Sequence, residues 1–340
     1  MINMMGKVNT TNYSFTPLAG YENFEATTQI ILNEIIKRNL DFEILDQNDN
    51  LIAVYFNDKE YVIREGTISD ANSLIAYWIS NNKWMTKLFL KRMGINHAKA
   101  IIINKQSQQY DLKSLKFPLI VKPFDTDHGI AVSTNIKTQT ILTNAIKLAF
   151  QHSERVIVEE YFRGKEYRFL VVDFVVRAIT YREPANITGN GKQSITSLIN
   201  EKNKDRGIDY TKPLLKICID DEICKHLEEQ NLTIESIPEE GQKVFLRLNS
   251  NLSTGGDSID YTDIMPEYYK QIAVNAAKSS GLRIAGIDLI LNEIDKRPSL
   301  SNYIVVELNA PPMLSMHAFP YIGKKRDVGK YVLDCILTSK

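Results

Sequence analysis

A mixed α/β fold of the α+β kind, built on antiparallel sheets, is predicted by three features of the sequence. Near the start, an amphipathic helix is followed at once by a strand and a hairpin. From Phe117 onward the chain turns strand-rich, with one helix inserted. Two further helical stretches then precede a closing pair of apolar strands.

Taken in order, Ile31, Ile35 and Leu32, Ile36 fall at i, i+4 spacing and open the pattern as a helix. DFEILD follows as a strand, and LIAVYF and EYVIREG alternate around Asn57-Asp58 as a hairpin. These elements make a small α/β unit. A second helix, about Ile68 to Arg92, ends at Gly94 and places a domain boundary there; AIIIN continues as a strand. PLIVKPF and GIAVSTN read as strands, TQTILTNAIKLAF as a helix, and VIVEEYF, EYRFLVVDF and VVRAITYRE as strands of an antiparallel sheet that the helix covers. The polar stretch 184–206 carries Gly189, Asn190 and Gly191, and its first part reads as a mobile loop. Helices near Asp220 to Asn231 and from Glu267 to Ser280 lead into IAGIDLILN and YIVVELN.

With 340 residues, 44% hydrophobic and 24% charged, the chain suits two or three globular domains. Lys plus Arg and Asp plus Glu both number 41, so no global field draws nucleic acid or an anionic membrane. Any anion must be held locally. Cys218, Cys224 and Cys335 form no even disulfide set and lack the C-x-x-C spacing of zinc sites, which points to a reducing cytoplasm. Neither a signal peptide nor a membrane span is expected, because the most apolar run, FLVVDFVVRAI, is broken by Asp173 and Arg177.

Chemistry concentrates near the end of the chain. In YIVVELN, strand alternation sets Val305, Glu307 and Asn309 on one face, and in IAGIDLIL it sets Asp288 against Ile287 and Leu289. If these strands pair as a hairpin, Asp288, Glu307 and Asn309 converge. A single acid at a strand end is more often a solvated cap. A D…E-x-N set on two apolar strands is better explained as hard oxygen ligands for Mg²⁺, with Mn²⁺ as the alternative.

Lys122 in PLIVKPF must either snorkel from an apolar strand or meet an anion. Gly129 in DTDHGIAV stands where backbone amides can approach a phosphate. Neither this loop nor GNGKQ fits the P-loop pattern G-x-x-x-x-G-K-S/T. Glu159, Glu160 and Glu166 punctuate VIVEEYFRGKEYR around a bend at Gly164. A strand leaving the core there offers amides to an adenine and a carboxylate to a ribose, although surface strands commonly carry Glu. Arg247 and the Ser253-Thr254-Gly255-Gly256 turn join a fixed cation to hydroxyls and unshielded amides, a grouping for a substrate carboxylate or a transferring phosphoryl group. Standing alone it would be an ordinary glycine turn. The five histidines are scattered, and only His317, just beyond the acidic strand, is placed near the site.

In their shared order, IVKPFDTDHGIAV, VIVEEYFRGKEYRFLVV, REPANITGNGKQSI, LRLNSNLSTGGDSIDYTD and VVELNAPPMLSMHAFPYIGKKR resemble the ATP-grasp superfamily. The resemblance is to the synthetase half of bacterial glutamate-cysteine ligase/glutathione synthetase fusions and the matching half of cyanophycin synthetase, and it runs from about Gln29 to Asp334. It implies an ATP-grasp fold, with an N-terminal α/β domain over 1–94 and two antiparallel-sheet subdomains, 95–164 and 165–340, clasping ATP. It implies Lys87 and Lys122 at the ATP phosphates together with Gly129; Glu159 and the Phe162 backbone at the adenine; Glu166 at the ribose; and Glu160 among the nucleotide-binding residues. Asp288, Glu307 and Asn309 would bind Mg²⁺. Arg247, Lys122 and Arg182 would be the catalytic cations, and Arg247, Ser253, Thr254, Gly255, Gly256 and His317 would bind substrate. The sequence departs from many relatives in reading Gly129-Ile130-Ala131 for G-x-G and ELNAPP for E-x-N-x-x-P. This length is also expected to hold no counterpart of the fusion's partner domain.

The implied reaction is ligation: a substrate carboxylate attacks the γ-phosphorus of Mg-ATP, and an amine displaces phosphate from the acyl phosphate. Loops around Gly129 and Gly189 are the expected lids against water. The substrates would be ATP, a small-molecule carboxylate such as an amino acid or γ-glutamyl peptide, and an amine. No nucleic acid or membrane enters, and a homodimer is left open. Modification of a peptide or protein carboxylate is a second reading. A nucleotide-binding module without catalysis is a third, disfavoured by Asp288, Glu307 and Asn309.

Overall fold

The computed structural model describes residues 13–107, 111–126 and 131–339. Helix α1 (Ala26–Lys37) turns Ile31, Leu32 and Ile35 inward. Strands β1 (Asp41–Asp46), β2 (Leu51–Phe56) and β3 (Lys59–Arg64) form a three-stranded antiparallel sheet. Asn57 and Asp58 in the β2–β3 turn both take positive φ, 51° and 58°. A two-residue hairpin that matches the right-handed strand twist demands this backbone, and Asn and Asp tolerate it. In place of one helix from Ile68 to Arg92 there are two, α2 (Leu74–Asn81) and α3 (Lys83–Arg92). Asn82 is the reason: it leaves helical geometry, and its side chain accepts from the N–H groups of Trp84 and Met85 to cap the second helix.

The next segment gives β4 (Ala100–Asn104), β5 (Leu119–Pro123), β6 (Ser133–Ile136), α4 (Gln139–Ala149) and β7 (Arg155–Glu160). The strands form an antiparallel sheet in the order β4-β7-β5-β6. Alternation divides its faces. Leu119, Val121, Val156 and Val158 pack on Leu142, Ala145 and Ile146 of α4 as a core of their own. Lys122, Ile157 and Glu159 fall on the opposite face.

Strands β8 (Lys165–Val172) and β9 (Val175–Glu183) form a hairpin at Asp173-Phe174, where φ is again positive at both residues. The remainder is β10 (Asn186–Thr188), α5 (Ile195–Lys202), α6 (Asp221–Glu228), β11 (Lys243–Phe245), β12 (Asp257–Asp260), α7 (Glu267–Ser280), β13 (Ile284–Leu291), β14 (Tyr303–Asn309), α8 (Ser315–Ala318) and α9 (Gly329–Leu337). A five-stranded antiparallel sheet runs β12-β9-β8-β13-β14, and β10 and β11 pair separately. One face of the large sheet buries Tyr167, Phe169, Ile179, Ile287 and Leu289 against Ala273, Ala276 and Ala277 of α7. On the other face, Leu170, Val172, Ala178 and Ile284 join α1, α9 and the three-stranded sheet in a second core. Further along the same rows the residues become Glu166, Arg168, Thr180, Arg182 and Asp288, so one sheet face is apolar at one end and charged at the other.

Within 184–206, β10 and α5 flank the glycine-bearing segment expected as a loop. The Gly189 N–H donates to the Gln242 carbonyl (2.8 Å), its carbonyl accepts from Gly241 N–H (2.9 Å), and Gly191 N–H donates to the Pro238 carbonyl (3.1 Å). A Cβ on Gly189 would stand 2.2 Å from the Glu239 carbonyl oxygen. Gly189 therefore serves close backbone approach, and Gly191 supplies a left-handed backbone at φ 68°. Among the described residues no helix is long and apolar enough to cross a membrane.

Candidate active site

Strands β13 and β14 do pair as an antiparallel hairpin, the condition for convergence, with Asp288 opposite Glu307 and Gly286 opposite Asn309. Asn309 Nδ2 lies 3.4 Å from Asp288 Oδ2 and 3.3 Å from the Gly286 carbonyl oxygen. The three side chains are thus brought together. Just beyond Asp288 the ladder slips, so that Leu289 pairs with Val305 and Val306 is the extra residue. Such a bulge reverses which face the following residues use. Val305 accordingly packs in the α7 core and not beside Glu307, where unbroken alternation had put it.

Asp288 is fully buried and gripped by two arginines. Arg168, its register partner on β8, donates from Nε and from Nη2 (2.7 Å), and Arg182 donates from Nη2 (2.9 Å). Burial opposes the charge of Asp288, yet Arg168 and Arg182 hold its carboxyl below the usual carboxylate range. Arg182 also donates to Glu166, whose other oxygen accepts from Ser250 Oγ. Glu307 behaves oppositely: burial, then the charge of Asp288, pushes its carboxyl up. Glu166, Asp288 and Glu307 thus face the cations Arg168 and Arg182, which leaves one negative charge in excess. Asp288, Glu307 and Asn309 carry hard oxygen atoms of the kind a divalent cation takes, although both Asp288 oxygens are here held by guanidinium groups and no cluster of three acidic, histidine or cysteine side chains placed to hold a metal stands among the described residues.

Arg168 was not singled out from the sequence. Its signal was present, since an arginine in an apolar strand, in phase with Glu166, poses the same question that Lys122 posed. Gly286 makes room for it: a Cβ there would lie 2.8 Å from Arg168 Cδ.

His317 is buried beside this cluster. Its Nδ1 is 2.8 Å from Thr180 Oγ1, and its Nε2 has no hydrogen-bond partner. Burial first, then the Arg168 charge, pulls its pKa down to about 3, so the ring is neutral at pH 7. Below the ordinary value of 6.5 an unfolded chain takes up a proton that the folded one refuses. Stability should therefore fall as pH drops from about 6.5 towards 3, by up to about 1.4 kcal/mol per unit from this group. Urea unfolding of the wild type and of His317→Gln at pH 7 and 5 checks this; equal slopes in both would exclude His317 as the cause.

A second cluster lies on the four-stranded sheet. Lys87 of α3 and Lys122 of β5 flank Glu159 of β7, with Nζ–O distances of 2.8 and 2.6 Å. Burial works against the charge of Glu159, but Lys122 and Lys87 hold its carboxyl at about 2. Lys87 Nζ also donates to the Ala98 carbonyl (3.3 Å), and the Asn96 carbonyl accepts from Val305 N–H (2.9 Å). Segment 96–98 thereby joins the lysines to the strand that carries Glu307. Glu160 accepts from Lys116 N–H (3.0 Å), and Phe162 lies in the connection between β7 and β8. Gly164 closes that connection, and a Cβ on it would stand 2.4 Å from the Leu291 carbonyl oxygen. Gly129 lies outside the described residues. Ala131 holds φ at 54°, the left-handed region that favours glycine.

Arg247 is buried and bound to Asp220 and Glu222 at the start of α6, and Glu222 lies 3.5 Å from Asn249 Nδ2. Thr254 Oγ1 donates to Asn249 Oδ1 (2.9 Å), and Ser253 is hydrogen-bonded to Tyr210. The amides of this turn are not free: Thr254 and Gly256 donate to the Asn251 carbonyl (3.2 Å each) and Gly255 to the Leu252 carbonyl (3.1 Å). A left-handed Gly255, at φ 93°, closes the turn on itself, which the glycine pair alone did not reveal. Ser250, in the same loop, ties it to Glu166 and hence to the arginine cluster.

Residues 22–75 match the model of an ATP-grasp-like domain, 89–234 that of the D-Ala D-Ala ligase C-terminus, and 232–328 that of the RimK-like ATP-grasp domain. The chain is 37% identical over 325 residues to the glutathione biosynthesis bifunctional protein GshAB of Clostridium perfringens, and 36% identical over 329 residues to that of Pasteurella multocida. Each alignment covers 94% of this chain, but 42% and 43% of the two relatives. The crystal structure of a bifunctional glutathione synthetase from Pasteurella multocida aligns with a TM-score of 0.73 at 34% identity, over 93% of this chain and 44% of that one. The chain thus spans less than half the length of these relatives.

Proposed function

The chain belongs to the ATP-grasp superfamily, and on that premise we infer that it is an ATP-dependent ligase that joins a carboxylate to an amine through an acyl phosphate. The observation that carries this reading is the convergence of Asp288, Glu307 and Asn309 beside Arg168 and Arg182. In the proposed division into 1–94, 95–164 and 165–340, the first two parts supply the lysines and the third the acids and arginines.

Lys87 and Lys122 hold the nucleotide phosphates as point charges, with Glu160 and the Phe162 backbone towards the base and Glu166 towards the ribose. Asp288, Glu307 and Asn309 are the residues that would hold a divalent cation, in this reading Mg²⁺, which neutralises charge on the phosphates. A carboxylate oxygen of the substrate bonds to the γ-phosphorus as the bond to the bridging oxygen breaks, and ADP leaves. Arg182 and Arg168 face the charge that develops on the phosphoryl oxygens, and Arg247 faces the acid substrate. The amine nitrogen then bonds to the carbonyl carbon, phosphate departs, and the proton lost by nitrogen goes to it.

The relatives are named for glutathione biosynthesis, which supports a γ-glutamyl peptide as acid and an amino acid as amine, and the three free cysteines support a cytoplasmic setting. Purified protein given γ-glutamylcysteine, glycine and Mg-ATP should yield ADP, phosphate and the tripeptide, and hydroxylamine should trap the activated acid. No tripeptide, despite ATP turnover with another amino-acid pair, would remove the glutathione assignment and keep the ligase. AMP and pyrophosphate as products would overturn the acyl-phosphate route.

A further inference from the structure

The resemblance puts Glu159 at the adenine, yet its side chain is committed elsewhere. Lys122 and Glu159 are diagonal neighbours on the sheet face turned away from α4, since Ile120 is the register partner of Glu159. Lys87 comes down on the same carboxylate from α3, and each lysine takes a different oxygen. The Lys122 contact is an aligned hydrogen bond. The Lys87 contact is an ion pair of 2.8 Å with poorer hydrogen-bond alignment. Lys87 and Glu159 are 6% and 4% exposed, so water does little to separate the two ammonium groups.

We propose that Glu159 is a positioning residue that stands in for the nucleotide phosphates between turnovers, keeping Lys87 and Lys122 together and charged until ATP takes them over. The proposal rests on the nucleotide-binding reading above and assigns this acid a role that the resemblance does not. Without a carboxylate between them, two buried cations repel, and the cheapest relief is for one to give up its proton. A neutral lysine no longer attracts phosphate. The groups that face Lys87 are Glu159 from β7, Lys122 from β5 and His97 from the segment after α3, with Lys91 one turn further along its own helix. Burial already draws the Lys87 pKa down, Lys122 adds to the effect, and Glu159 opposes it. Of these neighbours only Glu159 is an acid, so its charge keeps Lys87 protonated at working pH.

The test is calorimetric titration of the full chain with Mg-ATP across the neutral to alkaline range, run beside ligase turnover. Wild-type affinity should change by less than about 3-fold between pH 7 and 9, whereas Glu159→Gln should bind about 10-fold more weakly at pH 7 and lose about another 10-fold by pH 9. Glu159→Asp keeps the charge and should keep the flat profile. A flat profile for Glu159→Gln overturns the proposal, and a flat profile with collapsed preference for ATP over GTP returns Glu159 to the adenine. Should Glu159→Gln not fold, the wild type decides alone: at pH 9, titrations in two buffers of different ionisation enthalpy should show uptake below about 0.2 proton per ATP. Uptake near one proton would mean that the lysines were not charged beforehand and would overturn the proposal. Wild type that binds no ATP defeats the nucleotide reading and this proposal together. Wild type that binds and ligates while Glu159→Gln keeps its pH profile defeats this proposal alone.

Discussion

Glu307→Gln should lower turnover by about 10²-fold or more while leaving the protein as stable as the wild type, or more so. The loss follows from neutralising one of the two carboxylates that meet at Asn309, whose negative charge suits a divalent cation. The retained stability follows from the sign of its shift. Burial and the neighbouring Asp288 raise the Glu307 pKa above its unfolded value, so the ionised carboxylate opposes folding above that value and the opposition fades as pH falls. A neutral amide of equal size removes that opposition at every pH. Turnover at saturating Mg-ATP and a thermal melt on the same preparation check both halves. Turnover within about 3-fold of wild type would remove Glu307 from the site.

Arg168→Met should do the reverse and destabilise strongly. It strips the fork that holds Asp288 by two hydrogen bonds, and Asp288 is 0% exposed. Removing one partner from a buried ion pair costs about 3–5 kcal/mol, because the remaining charge is left poorly compensated. Arg182 still reaches Asp288, so about 3 kcal/mol is the expected loss in urea unfolding, with turnover down by about 10²-fold. Arg168→Lys restores the charge but not the bidentate geometry and should fall between the two. An unchanged urea midpoint for Arg168→Met would show that Arg182 suffices.

The parts legible in the sequence are those governed by local rules. Alternation and turn chemistry placed the Asn57-Asp58 hairpin and the β13–β14 pair, and with it the meeting of Asp288, Glu307 and Asn309. Rules break where a single residue resets the pattern. Asn82 splits a helix by capping its second half, and the bulge at Val306 turns Val305 from the site to the core. Other features belong to tertiary pairing that no local window contains. Arg168 earns its role only because β8 lies beside β13 with Asp288 in register, and Gly189 only because residues 238–242 run against it. The closed amides of the 252–256 turn belong to the same class: composition names the residues, and the hydrogen-bond pattern decides which of them remain open to a ligand.

The four-stranded sheet and α4 possess a separate apolar core, from Ile103 and Leu119 to Ile146 and Val158, that shares no residue with the core under α7. Cooperativity in folding comes from shared burial, so a core that shares no residue with the others makes a unit that can open on its own. The free energy guarding Lys122 and Glu159 is then that of the smaller unit, and amide exchange along β5 and β7 follows local opening while β13 waits for global unfolding. A nucleotide seated on Lys122 of the smaller unit and on Lys87 and the acids of the rest would tie the two equilibria together, so that occupancy by substrate would make the protein fold as one.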